Sequence, residues 1–200
     1  MVLKILTFPD PILRKRAAPI AKLTAELKSL AENMVETMYA SRGIGLAAPQ
    51  VGELVRLLVL DTRPKDDDGN IVEEEMTELE KAIPQPLIIF NPEVTSAEGK
   101  TTFEEGCLSV PTYFETVTRP ALIEATGIGS DGKKISFKVD GLLAICLQHE
   151  IDHLEGKLFI DRLSLIKSNR IKAKIKKFGY EVSSKKETEE EKTEAEHHTL

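Results

Sequence analysis

The stretch Gly141-Leu142-Leu143-Ala144-Ile145-Cys146-Leu147-Gln148-His149-Glu150-Ile151-Asp152-His153-Leu154 decides how this chain folds. Its first seven residues are apolar or small, with Asp140 before it as a candidate N-cap and Gly156 after it as a stop. Read as a helix, it sets His149 and His153 one turn apart on one face. Both imidazoles can then bind a single metal ion. Glu150, beside the first of them, can reach water at that ion without being a ligand, which suits a general base. The competing reading is two surface histidines at helical spacing. The apolar context weighs against it, because unpaired buried polar groups cost about 1–3 kcal/mol each.

The third ligand decides the class of site. A metzincin protease extends the pattern to a third His, but that position here is Phe159. A thermolysin-like protease completes it with a downstream Glu, and none occurs between Lys157 and Tyr180. Upstream lies Phe103-Glu104-Glu105-Gly106-Cys107-Leu108-Ser109-Val110-Pro111. A Cys107 thiolate with two imidazoles makes a three-ligand site with one position open, a catalytic arrangement. The alternative for Cys107 is a buried inert thiol, a reading that suits Cys146 better, one turn before Glu150. A third segment, Gly43-Ile44-Gly45-Leu46-Ala47-Ala48-Pro49-Gln50-Val51-Gly52, lacks the Gly-Lys-Ser/Thr ending of a phosphate loop. Its small residues let backbone approach a ligand, and Gln50 offers an amide donor to an oxyanion. An ordinary tight turn fits the same residues.

The remaining chain is consistent with one soluble domain. Its 200 residues are 41% hydrophobic, enough for a core without disulfides, and the two cysteines read as thiols. No apolar run approaches the roughly 20 residues of a membrane span. The first ten residues carry no apolar export signal and no Arg/Ser-rich presequence, so a cytoplasmic location is expected, with no membrane partner. Residues 181–200 hold seven Glu and three Lys, a net −4 of the chain's −6, and read as an acidic disordered tail. Before it, Arg162, Lys167, Arg170, Lys172, Lys174, Lys176 and Lys177 share a segment with Leu163, Ile166, Ile171, Ile175 and Phe178. This spacing predicts a basic amphipathic helix ending at Gly179, either a docking helix or a contact for anionic surfaces. An apolar stripe from Leu23 to Met38 predicts a helix over Thr24–Tyr39. Strands are expected at Leu54–Leu60, Leu87–Phe90, Ala121–Thr126 and Lys134–Val139, with a hairpin turn at Asp131-Gly132. Asp61 to Pro86, with Asp66-Asp67-Asp68 and Glu73-Glu74-Glu75, reads as a long exposed loop, with room for one short helix. Its acids lack the spacing of a calcium loop.

Taken in order, Gly43-Ile44-Gly45-Leu46-Ala47-Ala48-Pro49-Gln50, Glu105-Gly106-Cys107-Leu108-Ser109 and Gln148-His149-Glu150-Ile151-Asp152-His153 resemble the three signature motifs of the peptide deformylase family. The resemblance runs from about Val2 to Gly179. It implies an α+β fold, with mixed, mainly antiparallel sheets around a central metal-binding helix, plus a C-terminal helix. It implies a single catalytic domain over 1–180 and removal of the formyl group from N-formylmethionyl nascent peptides. It further implies one divalent ion, Fe(II) as the family's usual choice with Zn(II) or others able to substitute, held by Cys107, His149 and His153. Glu150 is then the base, and Gln50 and the Leu108 N–H the oxyanion donors. Substrate would lie along Ile44, Gly45, Glu105 and Gly106, its methionine side chain in a pocket lined by Gly43, Ile44, Leu142, Ile145, Cys146 and His149. Glu105 and Arg119 resemble the family's buried acid–base pair behind the site. One position departs: many relatives carry Arg seven residues after the Cys, where this chain has Phe114. In some members the C-terminal helix docks on the ribosome, which the basic helix permits here. Two rival readings stand beside this one: an HExxH metalloprotease, and a catalytically inactive formyl-peptide binder. A redox role lacks any Cys-x-x-Cys.

Overall fold

The computed structural model describes residues 1–66 and 68–180. The acidic segment 181–200 lies outside them. In chain order the regular elements are α1 (Ala25–Ala40), β1 (Gly45–Ala47), β2 (Leu57–Leu60), α2 (Glu78–Lys81), β3 (Leu87–Glu98), β4 (Thr101–Cys107), β5 (Val110–Arg119), β6 (Leu122–Ile128), β7 (Lys134–Val139), α3 (Gly141–Leu154) and α4 (Leu165–Phe178). Short 3-10 turns join several of them. The expected α+β architecture is present, as a five-stranded antiparallel sheet ordered β1-β2-β3-β6-β7 and a separate β4-β5 ribbon.

Local chemistry explains most element boundaries. Thr24 accepts a bond from the Leu27 N–H and starts α1, whose buried Ala31, Met34 and Met38 face the sheet. Gly132, at φ +84°, turns β6 into β7 at the expected hairpin. β3 runs eight residues past the predicted end at Phe90. Its register shifts between Phe90 and Glu93 and again between Val94 and Ser96, so it bends to stay paired with β6. Asn91 sits at φ +50° in the first shift, and its side-chain amide bonds both the N–H and the carbonyl of Ile20, at 2.8 and 2.7 Å. β4 and β5 were not among the expected strands. In β5 burial alternates from Pro111 to Arg119, but residue type does not follow it, since Phe114 is exposed and Arg119 is buried, while β4 exposes Thr102, Phe103 and Glu104 in a row.

The metal-motif helix α3 is the centre of the molecule. Leu143, Ala144, Leu147 and Leu154 are fully buried against Leu58, Leu60, Ile89, Ile123 and Ala125 of the sheet. Complete burial of a leucine side chain contributes roughly 1.5–3 kcal/mol, so these contacts fix the helix firmly on the sheet. Its C-terminal end follows expectation, with Gly156 at φ +71°. Its N-terminal end does not. Asp140 occupies the N-cap position, but its side chain makes no cap bond and instead accepts from the Thr77 hydroxyl at 2.5 Å. In α4, Ile171 and Ile175 are buried as expected, whereas Ile166 and Phe178 are exposed, so the docked stripe is narrower than the sequence spacing predicts.

Candidate metal centre

Three elements converge on one cavity of about 480 Å³. β1 and its following turn carry Gly45 and Gln50; the end of β4 carries Glu105, Gly106 and Cys107; α3 carries Leu142, Ile145, Cys146, His149 and Glu150. Gly43, Ile44 and Leu108 complete the wall among the expected residues. Gly45 allows the close approach of strand to helix, because a Cβ there would lie 2.8 Å from the Cys146 sulfur and collide with the Glu150 carboxylate.

Cys107, His149 and His153 offer ligand atoms that all lie within 4.8 Å of one another. The Cys107 Sγ is 3.2 Å from His153 Nε2. The two rings meet edge-on with centroids 5.1 Å apart, as one helical turn dictates. The donor set fits a borderline-soft divalent ion, one thiolate and two imidazoles, in the manner of catalytic transition-metal sites. Burial pushes the His153 imidazole well below its usual pKa, toward the neutral form that a ligand needs. His149 behaves differently. Burial works to lower it, but the neighbouring Cys107 sulfur and Glu105 carboxylate outweigh that and hold it well above the usual range.

Behind the ligands lies a buried charge chain. Glu105 Oε2 stands 2.9 Å from His149 Nδ1, which directs the ring's Nε2 toward the cavity. The Arg119 guanidinium donates to both oxygens of Glu105, with the Nη2 bond at 2.8 Å. Its Nη1 donates to Asp152 at 2.9 Å, and Asp152 also accepts from Arg162. Burial works to raise the Glu105 pKa, but Arg119 and His149 overcome it and bring it down to about 2. Asp152 and Arg162 were missed by sequence reasoning. Asp152 falls inside the HExxH string at a variable position, and no spacing ties it to Arg119, 33 residues away.

Glu150 is 3% exposed, and its Oε2 has no hydrogen-bond partner. Burial pushes its carboxyl up to about 7, although His149 and Arg119 pull the other way. A carboxylate poised near neutrality and facing a cavity can both take and return a proton. The Gln50 side chain is held by its Oε1, which accepts the Ala47 N–H at 2.8 Å. That aims Nε2 at the Ser109 hydroxyl, 3.2 Å away, and at the Cys107 sulfur, 3.7 Å away. Cys146 is a cavity-wall residue whose thiol burial pushes well above its usual pKa, so it stays protonated and packs. Phe159 stacks on His149 with centroids 6.2 Å apart, at the position a metzincin would use for a ligand. The cavity's outer lining also includes Arg42, Phe103, Val110, Thr112, Tyr113 and Phe114. Of these, sequence reasoning had remarked only on Phe114, since ribbon β4-β5 was not foreseen.

A cysteine and two histidines placed to hold one metal ion, with a buried carboxyl at the same cavity, define the class: a candidate metal-dependent hydrolase. The chain belongs to the polypeptide deformylase family, whose model matches residues 2–169. It is 44% identical to the peptide deformylase of Syntrophobacter fumaroxidans over 176 residues, 88% of this chain and 95% of that relative. It is 45% identical to that of Tolumonas auensis over 175 residues, again 88% of this chain and 95% of the relative. Its fold resembles a crystal structure of a peptide deformylase from Legionella pneumophila, at TM-score 0.73 and 41% identity over 89% of this chain and 95% of that one. It also resembles the peptide deformylase of Ehrlichia chaffeensis in complex with actinonin, at TM-score 0.76 and 39% identity over 88% and 96%. Among the described residues no helix is long and apolar enough to cross a membrane.

Proposed function

We propose that this enzyme removes the formyl group from the N-terminal formyl-methionine of newly synthesised polypeptides, and that residues 1–180 form its catalytic domain. The observation that carries the site assignment is Glu150, its Oε2 unpartnered and its carboxyl raised toward neutrality, in the same cavity as Gln50, Cys107 and His149. Cys107, His149 and His153 would hold the divalent ion. When bound, that ion supplies Lewis-acid chemistry that lowers the pKa of water and polarises a carbonyl.

The chain's own residues supply the rest. The substrate's backbone lies along Ile44 and the free edge of β1, the outermost strand of its sheet, which begins at Gly45; the Ile44 carbonyl itself is taken by the Asp61 N–H at 2.9 Å. Gly106 forms the facing wall. The Glu105 side chain is committed to Arg119 and His149, which leaves only its backbone for substrate. The methionine side chain enters beside Leu142, Ile145 and Cys146. Glu150 takes a proton from water as its oxygen attacks the formyl carbon. The Gln50 Nε2 and the Leu108 N–H donate to the oxygen that gains charge. As the C–N bond breaks, Glu150 returns the proton to the leaving amine, giving formate and a free amino terminus.

Fe(II) is the ion we assign, on the family resemblance, since thiolate and imidazole donors alone suit several metals. The ribosome is the proposed docking partner of α4. Arg170, Lys174, Lys176 and Lys177 on that helix are exposed, a cationic face that suits phosphate backbone. Co-sedimentation with ribosomes at low salt, abolished by replacing these four with Glu, is expected; background-level binding of the unsubstituted chain would remove this partner. The protease reading loses ground to Phe159, which stacks on a His instead of supplying a ligand. The deciding experiment is formate release from formyl-Met-Ala-Ser by protein loaded anaerobically with Fe(II). Chelator-sensitive release that is lost in Cys107→Ala is expected. Cleavage of casein without formate release would favour the protease.

A further inference from the structure

The acidic segment between β2 and β3 reaches the pocket through one side chain. We infer that Glu80, in α2, is a positioning residue for the methionine-side-chain pocket: it clamps the first turn of α3 on both sides of Leu142. This rests on the deformylase reading of the cavity.

A helix start leaves its first N–H groups without partners, and a side-chain oxygen normally caps them. Asp140 sits at that position in α3 but makes no cap bond, because its carboxylate is taken by the Thr77 hydroxyl. Glu80 does the work from 63 residues away. Its Oε1 accepts the Leu143 N–H at 3.0 Å, and its Oε2 accepts the Thr77 N–H at 2.9 Å. The Thr77 hydroxyl in turn accepts the Glu80 N–H at 3.1 Å. The carboxylate is 5% exposed and lies at the positive end of the helix dipole. It also touches Gly141, which stands at φ +61°. A Cβ there would lie 2.6 Å from Glu80 Cδ. Gly141 and Leu143 flank Leu142, and Leu142 lines the cavity with Ile145 and Cys146. Glu80 therefore fixes the backbone on either side of a pocket-wall residue without touching the pocket itself.

The test uses the full-length, metal-loaded enzyme and the variants Glu80→Ala, Glu80→Gln and Thr77→Val. Steady-state kinetics compare formyl-Met-Ala-Ser with formyl-Ala-Ala-Ser, and hydrogen exchange is followed at the Leu143 amide. In Glu80→Ala the KM for the Met peptide should rise about three- to tenfold, the range expected from losing a helix cap. Its kcat should stay within about twofold, and the Ala peptide should be nearly unaffected, so the preference for Met falls. Leu143 exchange should accelerate. Glu80→Gln, which keeps one acceptor oxygen, should recover much of the preference. Thr77→Val should shift it in the same direction by less, and it decides the matter if Glu80→Ala does not fold. Equal losses on both peptides, or unchanged preference with unchanged exchange, would overturn the inference while leaving the activity assignment intact. No formate from the unsubstituted enzyme would overturn the activity assignment, and the pocket's role with it.

Discussion

Replacing Glu105 with Gln tests whether the buried charge chain holds the metal centre together. The Glu105 carboxylate is 4% exposed and serves three donors: Arg119 Nε, Arg119 Nη2 at 2.8 Å and His149 Nδ1 at 2.9 Å. Gln keeps the shape but removes the charge and one acceptor. The Arg119 guanidinium, 1% exposed, would then be matched only by Asp152, itself shared with Arg162. Breaking a buried pair from one side costs about 3–5 kcal/mol, a large part of the roughly 5–15 kcal/mol that holds a domain folded. For a chain of this size that corresponds to a fall in Tm of about 6–20 °C. The second effect is on His149, whose Nδ1 loses its anionic partner. Loss of such a partner lowers metal affinity by about 10- to 100-fold. The assays are thermal unfolding with and without excess metal, and chelator competition for the bound ion. Both numbers should move together, and excess metal should recover part of the Tm. A variant with wild-type affinity and wild-type Tm would refute the idea that this carboxylate orients the ligand.

Three further outcomes are expected. Glu150→Ala should lower turnover by about 10²- to 10⁴-fold with metal content nearly unchanged, as measured by formate release and elemental analysis; surviving activity would exclude it as the base. Gln50→Leu should lower kcat by about 10²- to 10³-fold, and a change confined to KM would argue against an oxyanion role. Asp161 sets a pH dependence of stability. Burial works to raise its pKa, but Arg14, the Leu158 N–H and Lys172 outweigh it and hold the folded-state value below the usual one. Its stabilisation is thus fully present above the unfolded-state pKa of about 4 and is lost as pH falls through the lower folded-state value. Urea unfolding of Asp161→Asn should show a smaller stability loss over that acid window than the unsubstituted chain, and parallel curves would dismiss the contribution.

What was legible in the sequence follows from how local its physical cause is. The α3 helix could be read because its apolar run, its glycine stop and its His spacing all act within one or two turns. The hairpin at Asp131-Gly132 could be read because a two-residue turn carries its own signal. β4 and β5 could not, because residue type and burial part company there: Phe103 and Phe114 are exposed at the cavity while Glu105 and Arg119 are buried. The same holds at the site. His149, Glu150 and His153 were visible because their residue types are chemically committed and their spacing is short, and Cys107 because a thiol among Gly106 and Ser109 is itself an uncommon, chemically committed residue. Asp152 and Glu80 were not, since each is an ordinary acid whose importance comes from a partner 33 or 63 residues distant. The Asp140 expectation shows the difference in one residue. Its position as a helix start was correct from local signals, while its bonding was taken over by Thr77 and its capping task by Glu80. A segment that composition alone marks as solvated loop thus reaches the helix that carries the candidate metal ligands, through a contact that only the folded chain creates.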